Sequence, residues 1–365
     1  MWDIGARPAR GYLARVAVVY GLLAVLGFSV SLPATRAAVE ELDATFVGLG
    51  RAVVAGVLAA ALLALTRQPP PRRRHLANLL LVVGGVVIGF PLLTALALRE
   101  LTSAHGAVMI AVIPAATAVA AVLLAGERPS RGFWAASGAG LVAVLAFAAS
   151  RGTGLPTGAD LMLLAAVAVV AMGYAGGGAL ARELGGWQVI CWALVAALPL
   201  LTPVTAVAVA DGGVGGGDVE AWLGFAYVSL VSMFLAFFAW YAGMARGGVA
   251  KTGQLMLVMP LLTLVWSALL LDETVTAGTV VAALAVLACV FATQRARVDS
   301  GADQERDKQQ DGHVHALVDH DQEGRVVGGI GLLHPAHVRV EQAAVVQDQV
   351  GEDHECRRGG GLARP

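Results

Sequence analysis

Charged residues are scarce in this 365-residue chain: they make up 14% of it, whereas hydrophobic residues make up 57%. Most of the charges lie between long apolar runs or after residue 297. An apolar run of about 20 residues is long enough for a helix to cross the hydrocarbon core of a bilayer. The scarcity of charge therefore excludes an ordinary soluble domain and predicts a protein that crosses the lipid bilayer many times.

Paired cysteines and catalytic clusters are also absent from the sequence. The three cysteines, Cys191, Cys289 and Cys356, do not have the spacing of a disulfide framework or a zinc site. The first 297 residues contain no cluster of His, Asp or Cys that could act as a metal site, a nucleophile or a base. We therefore expect no enzymatic step, no cofactor, no metal and no nucleic-acid partner.

The sequence instead contains ten apolar runs, five in each half. They predict an all-α membrane protein with ten transmembrane helices. The runs cover residues 13–33, 45–66, 76–98, 104–125, 132–150, 159–180, 187–209, 221–244, 252–271 and 277–294.

The two halves carry an internal repeat, because residues 95–132 recur as residues 241–278 without a gap. Corresponding residues are 146 positions apart, and four identical pairs are Pro114 and Pro260, Thr117 and Thr263, Glu127 and Glu273, and Gly132 and Gly278. Duplicated halves of this kind, here residues 13–150 and 151–297, are typical of secondary transporters.

The distribution of basic residues predicts the orientation of the helices. With a cytoplasmic N-terminus, which includes the short basic segment 1–12, the inside segments hold fourteen Lys and Arg residues and the outside segments only Arg36, Arg99 and Arg151. The excess of positive charge belongs on the cytoplasmic side, so both termini should be cytoplasmic. Five helices in each half make the second half enter the membrane with the opposite polarity, and the repeat is therefore predicted to be inverted.

Three segments resemble a known family: FVGLGRAVVAGVLAA, AHGAVMIAVIPAATAVAAVLLAGERPSRG and LMLVMPLLTLVWSALLLDETVTAG. They are similar to EamA-type domains of the drug/metabolite transporter superfamily, and the resemblance covers residues 13–295. It implies a ten-helix carrier of the inner membrane, commonly an exporter of amino acids, other metabolites or drugs that uses a proton gradient. A homodimer is an option that the resemblance leaves open. The alternative is a non-transporting sensor or assembly protein built on a carrier-like fold.

Arg51 is the charged residue closest to the interior of an apolar run. One interpretation makes it the counter-charge for a substrate carboxylate, because a charge at bilayer depth is costly and usually functional. The other makes it an arginine near the outer surface whose side chain either reaches the membrane interface or packs between helices. Both interpretations fit a residue near the start of the second run.

A mainly apolar pocket with a few polar groups is expected near mid-depth, where the two halves meet. The aromatic eighth run supplies the main candidate pair. The residues expected to bind substrate beside Arg51 are Trp240, Tyr241, Gln254, Ser29, Ser31 and Tyr174.

Pro114 and Pro260 occupy the same position in the two repeats. A proline inside a helix frees a backbone carbonyl and bends the helix axis. We therefore expect these two prolines to act as hinges or to shape the pocket.

Three residues are candidates for proton coupling: His105, Glu127 and Glu273. A histidine can gain or lose a proton near neutral pH. The alternative for His105 is a position at the membrane interface, since it lies at the boundary where its run starts. The alternative for the two glutamates is helix capping, since an acidic side chain before a helix start can accept hydrogen bonds from free backbone N–H groups.

The tail, residues 298–365, differs from everything before it. It is rich in His and Asp and has no sustained apolar pattern. We interpret it as a disordered cytoplasmic tail or as sequence appended by a frameshift, and not as a metal sensor.

Overall fold

The computed structural model describes residues 10–125, 130–150, 155–212, 214–247 and 255–296. Every regular element within these ranges is a helix. Two candidate residues, Glu127 and Gln254, and the whole tail after residue 296 lie outside the described residues.

Ten apolar helices account for the ten predicted spans, which confirms an all-α membrane fold. Nine are long and apolar enough to cross a membrane, and the ninth in chain order, α9, is shorter. The helices are α1 (Val16–Glu41), α2 (Phe46–Leu65), α3 (Arg73–Ala97), α4 (Ser103–Leu124), α5 (Arg131–Ala149), α6 (Gly158–Leu184), α7 (Gly186–Ala210), α8 (Val219–Met244), α9 (Met256–Leu270) and α10 (Ala277–Ala296).

Two of these helices are interrupted near prolines. The α-helical hydrogen bonding of α1 stops at Val30, three residues before Pro33, and that of α4 stops between Ile110 and Ile113, next to Pro114. A proline has no N–H group, so the carbonyl four residues earlier loses its helical donor. The positions of the prolines in the sequence therefore account for the two interruptions.

Contacts between helix ends define two faces of the molecule, and the first is called face A. The guanidinium of Arg246, just beyond the end of α8, lies 4.9 Å from the ring centroid of Tyr20 near the start of α1. Nε2 of His75, just inside the start of α3, lies 3.1 Å from Oε2 of Glu183 at the end of α6. Gly186, which begins α7, packs against the backbone of Tyr241 near the end of α8. Face A thus holds the starts of α1, α3 and α7 and the ends of α6 and α8.

The opposite ends meet at face B. Arg36 near the end of α1 donates to the carbonyl of Leu98 after α3, at 2.6 Å. The start of α4 contacts the start of α6 and the residue Glu273 just beyond α9. Gly217 before α8 packs against Leu42 after α1.

These contacts fix the directions of corresponding helices in the two repeats. Helix α1 starts at face A and ends at face B, whereas its counterpart α6 starts at face B and ends at face A. The two five-helix halves therefore run in opposite directions.

Candidate substrate-binding site

A cavity lies between the two halves. Helices α1 to α4 of the first repeat and α6, α8 and α9 of the second contribute to its wall. The lining residues are Phe28, Ser31, Leu32, Thr35, Arg51, Val86, Phe90, Pro91, Thr94, Ile110, Ala111, Ile113, Pro114, Val170, Tyr174, Ser232, Met233, Phe237, Met256, Met259 and Pro260.

Irregular helix geometry concentrates at this cavity. Pro114 and Pro260 both line it, as expected of pocket-forming prolines. Pro114 leaves the carbonyl of Ile110, another lining residue, without its α-helical donor. Before Pro260, the N–H of Met259 instead donates to the carbonyl of Met256 in a 3-10 turn. Irregular backbone at membrane depth is tolerated where it lines a cavity or is buried in protein.

Three π-helical turns also converge on the cavity. They span Phe46–Gly50, Val83–Gly89 and Val228–Leu235. Arg51 follows the first directly, Val86 lies in the second and Ser232 in the third, and all three line the cavity. Single π-helical turns are frequent at functional sites, because the extra residue redirects the side chains around it.

Arg51 is the one charged side chain among the lining residues. It is only 3% exposed, so its side chain is packed inside the helix bundle. Its Nε is buried without a hydrogen-bond partner, and no carboxylate of the described residues lies within 4.0 Å of the guanidinium. Arg51 is therefore a buried cation without a partner among the described residues.

The hydroxyl groups of the wall mostly have partners of their own. Ser31 Oγ donates to Ser232 Oγ at 2.7 Å and so connects the two repeats. Thr35 and Thr94 donate to carbonyls one turn earlier in their own helices. The Tyr174 hydroxyl has no hydrogen-bond partner among the described residues. Arg51 and Tyr174 are thus the polar side chains free to meet a ligand.

Three other predicted residues, Ser29, Trp240 and Tyr241, do not line the cavity. Ser29 Oγ accepts a hydrogen bond from Trp266 Nε1 at 3.0 Å and so connects α1 to α9. Trp240 is 3% exposed, with its ring centroid 5.8 Å from that of Tyr174, and it stands behind the wall. Tyr241 is fully buried against α6. The structure therefore brings Arg51, Ser31, Tyr174 and the two prolines together, and gives the other three a packing position.

Glu273 caps a helix of the other repeat. Its carboxylate accepts hydrogen bonds from the backbone N–H groups of Ser103 and Ala104, both at 2.8 Å, and from the Ser103 hydroxyl at 3.0 Å. These donors are the free N–H groups at the start of α4, where the helix dipole favours a negative charge. This geometry matches the capping alternative, although the capped helix is α4 and not the next helix in the chain.

His105 is buried inside the protein at the start of α4. Its Nε2 lies 2.6 Å from Oδ1 of Asp160, and the two side chains are 3% and 2% exposed. The imidazole also stacks on Phe147 with 4.9 Å between ring centroids. Sequence reasoning missed Asp160, although a carboxylate at the start of an apolar run was a signal that it needed a partner.

The described residues contain no group of three or more His, Cys, Asp and Glu side chains that could hold a metal ion.

The comparisons with known proteins agree with this architecture. A Bacillus subtilis (strain 168) protein described as the uncharacterized transporter YdeK is 48% identical over 277 residues, which are 76% of this chain and 96% of that protein. A solved crystal structure matches with a TM-score of 0.53 at 16% identity, over 78% of this chain and 98% of the other, and this likeness concerns the fold alone. The model of the EamA-like transporter family matches twice, over residues 15–149 and 157–294. This chain therefore belongs to the EamA-like transporter family, within the drug/metabolite transporter superfamily, and is a multi-pass membrane transporter.

Proposed function

We propose that this transporter exports small molecules bearing a carboxylate, such as amino acids and related metabolites or drugs, across the inner membrane in exchange for protons. The observation that carries the proposal is Arg51, a buried cation without a partner on the wall of an apolar cavity. A buried, unpaired charge costs several kcal/mol. A bound carboxylate would offset that cost and form two parallel hydrogen bonds with the guanidinium.

The rest of the wall suits the body of such a molecule. Phe28, Phe90, Phe237 and the three methionines offer apolar and adaptable contacts. The Tyr174 hydroxyl can add one directional hydrogen bond. Among the described residues, no aspartate, glutamate or histidine lines the cavity, so this part of the wall favours an anionic group over a cationic one.

Alternating access follows from the two inverted halves. Substrate would bind between them, and helices α4 and α9 would reorient at Pro114 and Pro260 to expose the cavity to one side at a time. Each chain encloses a cavity of its own, so this cycle needs no second chain even where two chains form a homodimer.

Face A is the cytoplasmic face in this proposal. It carries the basic residues of the α2–α3 segment and of the ends of α6 and α8, namely Arg67, Arg72, Arg73, Arg74, Arg182 and Arg246, whereas Arg36 and Arg99 lie at face B. The excess of positive charge at face A is the pattern expected for the inside. Both termini would then be cytoplasmic.

Counterflow in proteoliposomes tests the function. Purified full-length protein and a form ending at Arg297 are compared on labelled amino acids and cationic drugs, with and without an imposed pH gradient. We expect saturable counterflow of carboxylate-bearing compounds by both forms, and its loss in Arg51→Gln. Arg246→Gln, at an exposed arginine far from the cavity wall, is the matched control and should keep counterflow.

Two results would count against the proposal. Counterflow that survives in Arg51→Gln would remove Arg51 from the substrate site. No counterflow of any compound by either form would favour the non-transporting sensor or assembly protein.

A further inference from the structure

The first half of α4, Ser103–Ile110, is held by side-chain contacts at its start and is followed by an irregular turn at its end. We call it the α4 half-helix. At the start of the half-helix, Glu273 accepts hydrogen bonds from two backbone N–H groups, and Asp160 contacts His105. At its end, Ile110 and the next residue, Ala111, line the cavity just before the break at Pro114. A change at the clamped end can therefore reach the cavity wall through one short helix.

The two clamps differ in chemistry. At the Glu273 clamp, a carboxylate accepts hydrogen bonds from backbone N–H groups, and these groups do not titrate. The second clamp joins two side chains that both titrate, His105 and Asp160, with 2.6 Å between Nε2 and Oδ1. Asp160 also accepts the backbone N–H and the hydroxyl of Thr157, both at 2.8 Å, which favours its ionised form.

The other charged side chains that the structure describes around the half-helix have separate partners or face solvent. From the link after α9, Glu273 caps the backbone as described, and Asp272, its neighbour in the chain, is exposed. From α1, Arg36 is turned to the carbonyls of Leu98 and Arg99 and to Glu40. Arg99 and Glu100 are exposed, and α5 presents the Phe147 ring. Among the described residues, Asp160 is a charged side chain in direct contact with the His105 ring.

Protonation changes the net charge of this buried pair. With a neutral imidazole and an ionised carboxylate the pair carries −1, and one proton taken up by the ring gives imidazolium and carboxylate with a net charge of 0. Burying a net charge in a low-dielectric interior costs several kcal/mol more than burying a neutral ion pair of good geometry. The packed arrangement, with both side chains almost fully buried, therefore favours the protonated pair.

We propose that His105 and Asp160 form the proton-binding site that couples transport to the proton gradient, and that loss of the proton releases the α4 half-helix from α6. The inference rests on the proposed transport function and adds its coupling site. One proton binds from face B as the half-helix closes against α6, and the same proton leaves the ring when the pair separates. Glu273 acts as a helix cap and takes no part in the proton transfer.

Hydrogen–deuterium exchange of the full-length protein tests the site without any substrate. Exchange is followed in peptides covering the α4 half-helix between about pH 5 and 9, where a histidine site titrates, after correction for the intrinsic effect of pH on exchange. Because the proton holds the clamp closed, protection should be high at low pH and fall about tenfold or more as pH rises. In His105→Gln and Asp160→Asn the protection should no longer depend on pH.

His75→Gln is the matched control. His75 is also a buried histidine near a carboxylate, with 3.1 Å from Nε2 to Oε2 of Glu183, but it lies at face A. This variant should keep the pH-dependent protection of the α4 half-helix. Protection that is independent of pH in the wild type, or an unchanged pH response in both folded variants, would overturn the proposal.

A transport measurement separates this inference from the function on which it rests. In proteoliposomes, His105→Gln and Asp160→Asn should keep counterflow of a labelled amino acid that the wild type transports but lose uptake driven by a pH gradient. If both variants respond to the gradient like the wild type, the coupling site is elsewhere and the transport function stands. If the wild type moves nothing, the transport function fails, whatever the exchange experiment gives.

Discussion

Among single residues, Arg51 combines burial, positive charge and the absence of a partner at one point of the cavity wall. A guanidinium offers a carboxylate a planar pair of donors, whereas a lysine ammonium offers a point charge. We expect Arg51→Lys to weaken the apparent affinity for a carboxylate-bearing substrate about tenfold to a hundredfold, the range for a lost charged hydrogen bond of about 1.5–3 kcal/mol. Concentration-dependent counterflow measures it.

The methyl ester of the same substrate is the control for this prediction. The ester has no negative charge for Arg51 to bind, so the wild type and Arg51→Lys should transport it with similar affinity. An equal loss for the acid and its ester would mean that the substitution disturbs the packing of the cavity and not the recognition of a carboxylate.

Thr263 shows how one residue stabilises a broken helix in another repeat. Pro33 leaves the carbonyl of Ser29 without its helical donor, and the Thr263 hydroxyl donates to that carbonyl at 2.8 Å. Thr263→Val should lower the free energy of unfolding by about 1–3 kcal/mol, because a buried acceptor loses its partner. Thermal unfolding in detergent measures the loss.

Thr293→Val is the matched substitution. Thr293 is equally buried, but its hydroxyl donates to the Cys289 carbonyl one turn earlier in its own helix, at 2.9 Å. That carbonyl belongs to an unbroken helix, so we expect a loss below about 1 kcal/mol. A loss as large as that of Thr263→Val would show that the freed carbonyl of Ser29 is not what Thr263 stabilises.

What the sequence predicted about residues depended on how local the signal was. Pro114 and Pro260 were predicted to shape the pocket because they occupy the same position in the two sequence repeats, and both line the cavity. The partner of His105 was missed because Asp160 lies 55 residues away in the chain and meets it only through packing of α4 against α6. Trp240 and Tyr241 were expected in the pocket because aromatic composition does not say which side of α8 faces inward.

Among the helices, close approach depends on glycine at particular points. Gly85 in α3 is buried, and a Cβ at that position would overlap the Val169 carbonyl oxygen of α6. We expect Gly85→Ala to destabilise the protein by about 1–3 kcal/mol or to prevent folding, because the two backbones would have to separate. The midpoint of thermal unfolding and the yield of monodisperse protein measure the effect.

The neighbouring residue provides the control. Gly84 is exposed, and a Cβ there would meet no atom within 4 Å. Gly84→Ala should leave stability unchanged or raise it by about 0.4–1 kcal/mol, since alanine restricts the unfolded chain more than glycine does. Equal losses in the two variants would argue against close packing of α3 on α6 at this point.

Across the whole molecule, the number of helices was predictable and the contacts between them were not. Ten apolar runs follow from the length that a membrane span requires, and the repeat follows from identical residues at one offset. The cavity depends on where three π-helical turns and two broken helices meet, and no periodicity in the sequence marks a π-helical turn. The chain therefore encodes the membrane helices locally and the site through packing of its two halves.

The opposite directions of the two halves lead to a prediction about the membrane. The α2–α3 segment, which contains Gln68, lies at face A, and its counterpart in the second repeat, the α7–α8 segment with Asp211, lies at face B. Single cysteines at these two positions, in a protein with Cys289 and Cys356 replaced by serine, should react from opposite sides. In intact cells a membrane-impermeant maleimide should label Asp211→Cys and leave Gln68→Cys unlabelled.

Permeabilised cells supply the control, since both cysteines should then react; Cys191 is buried and should stay silent. If only Gln68→Cys is labelled in intact cells, the two halves still run in opposite directions, but face A is outside. That result would contradict the orientation predicted from the distribution of arginines. Labelling of both positions in intact cells would put two corresponding segments on one side. The two repeats would then be parallel. Alternating access between two inverted halves would have no structural basis in this chain.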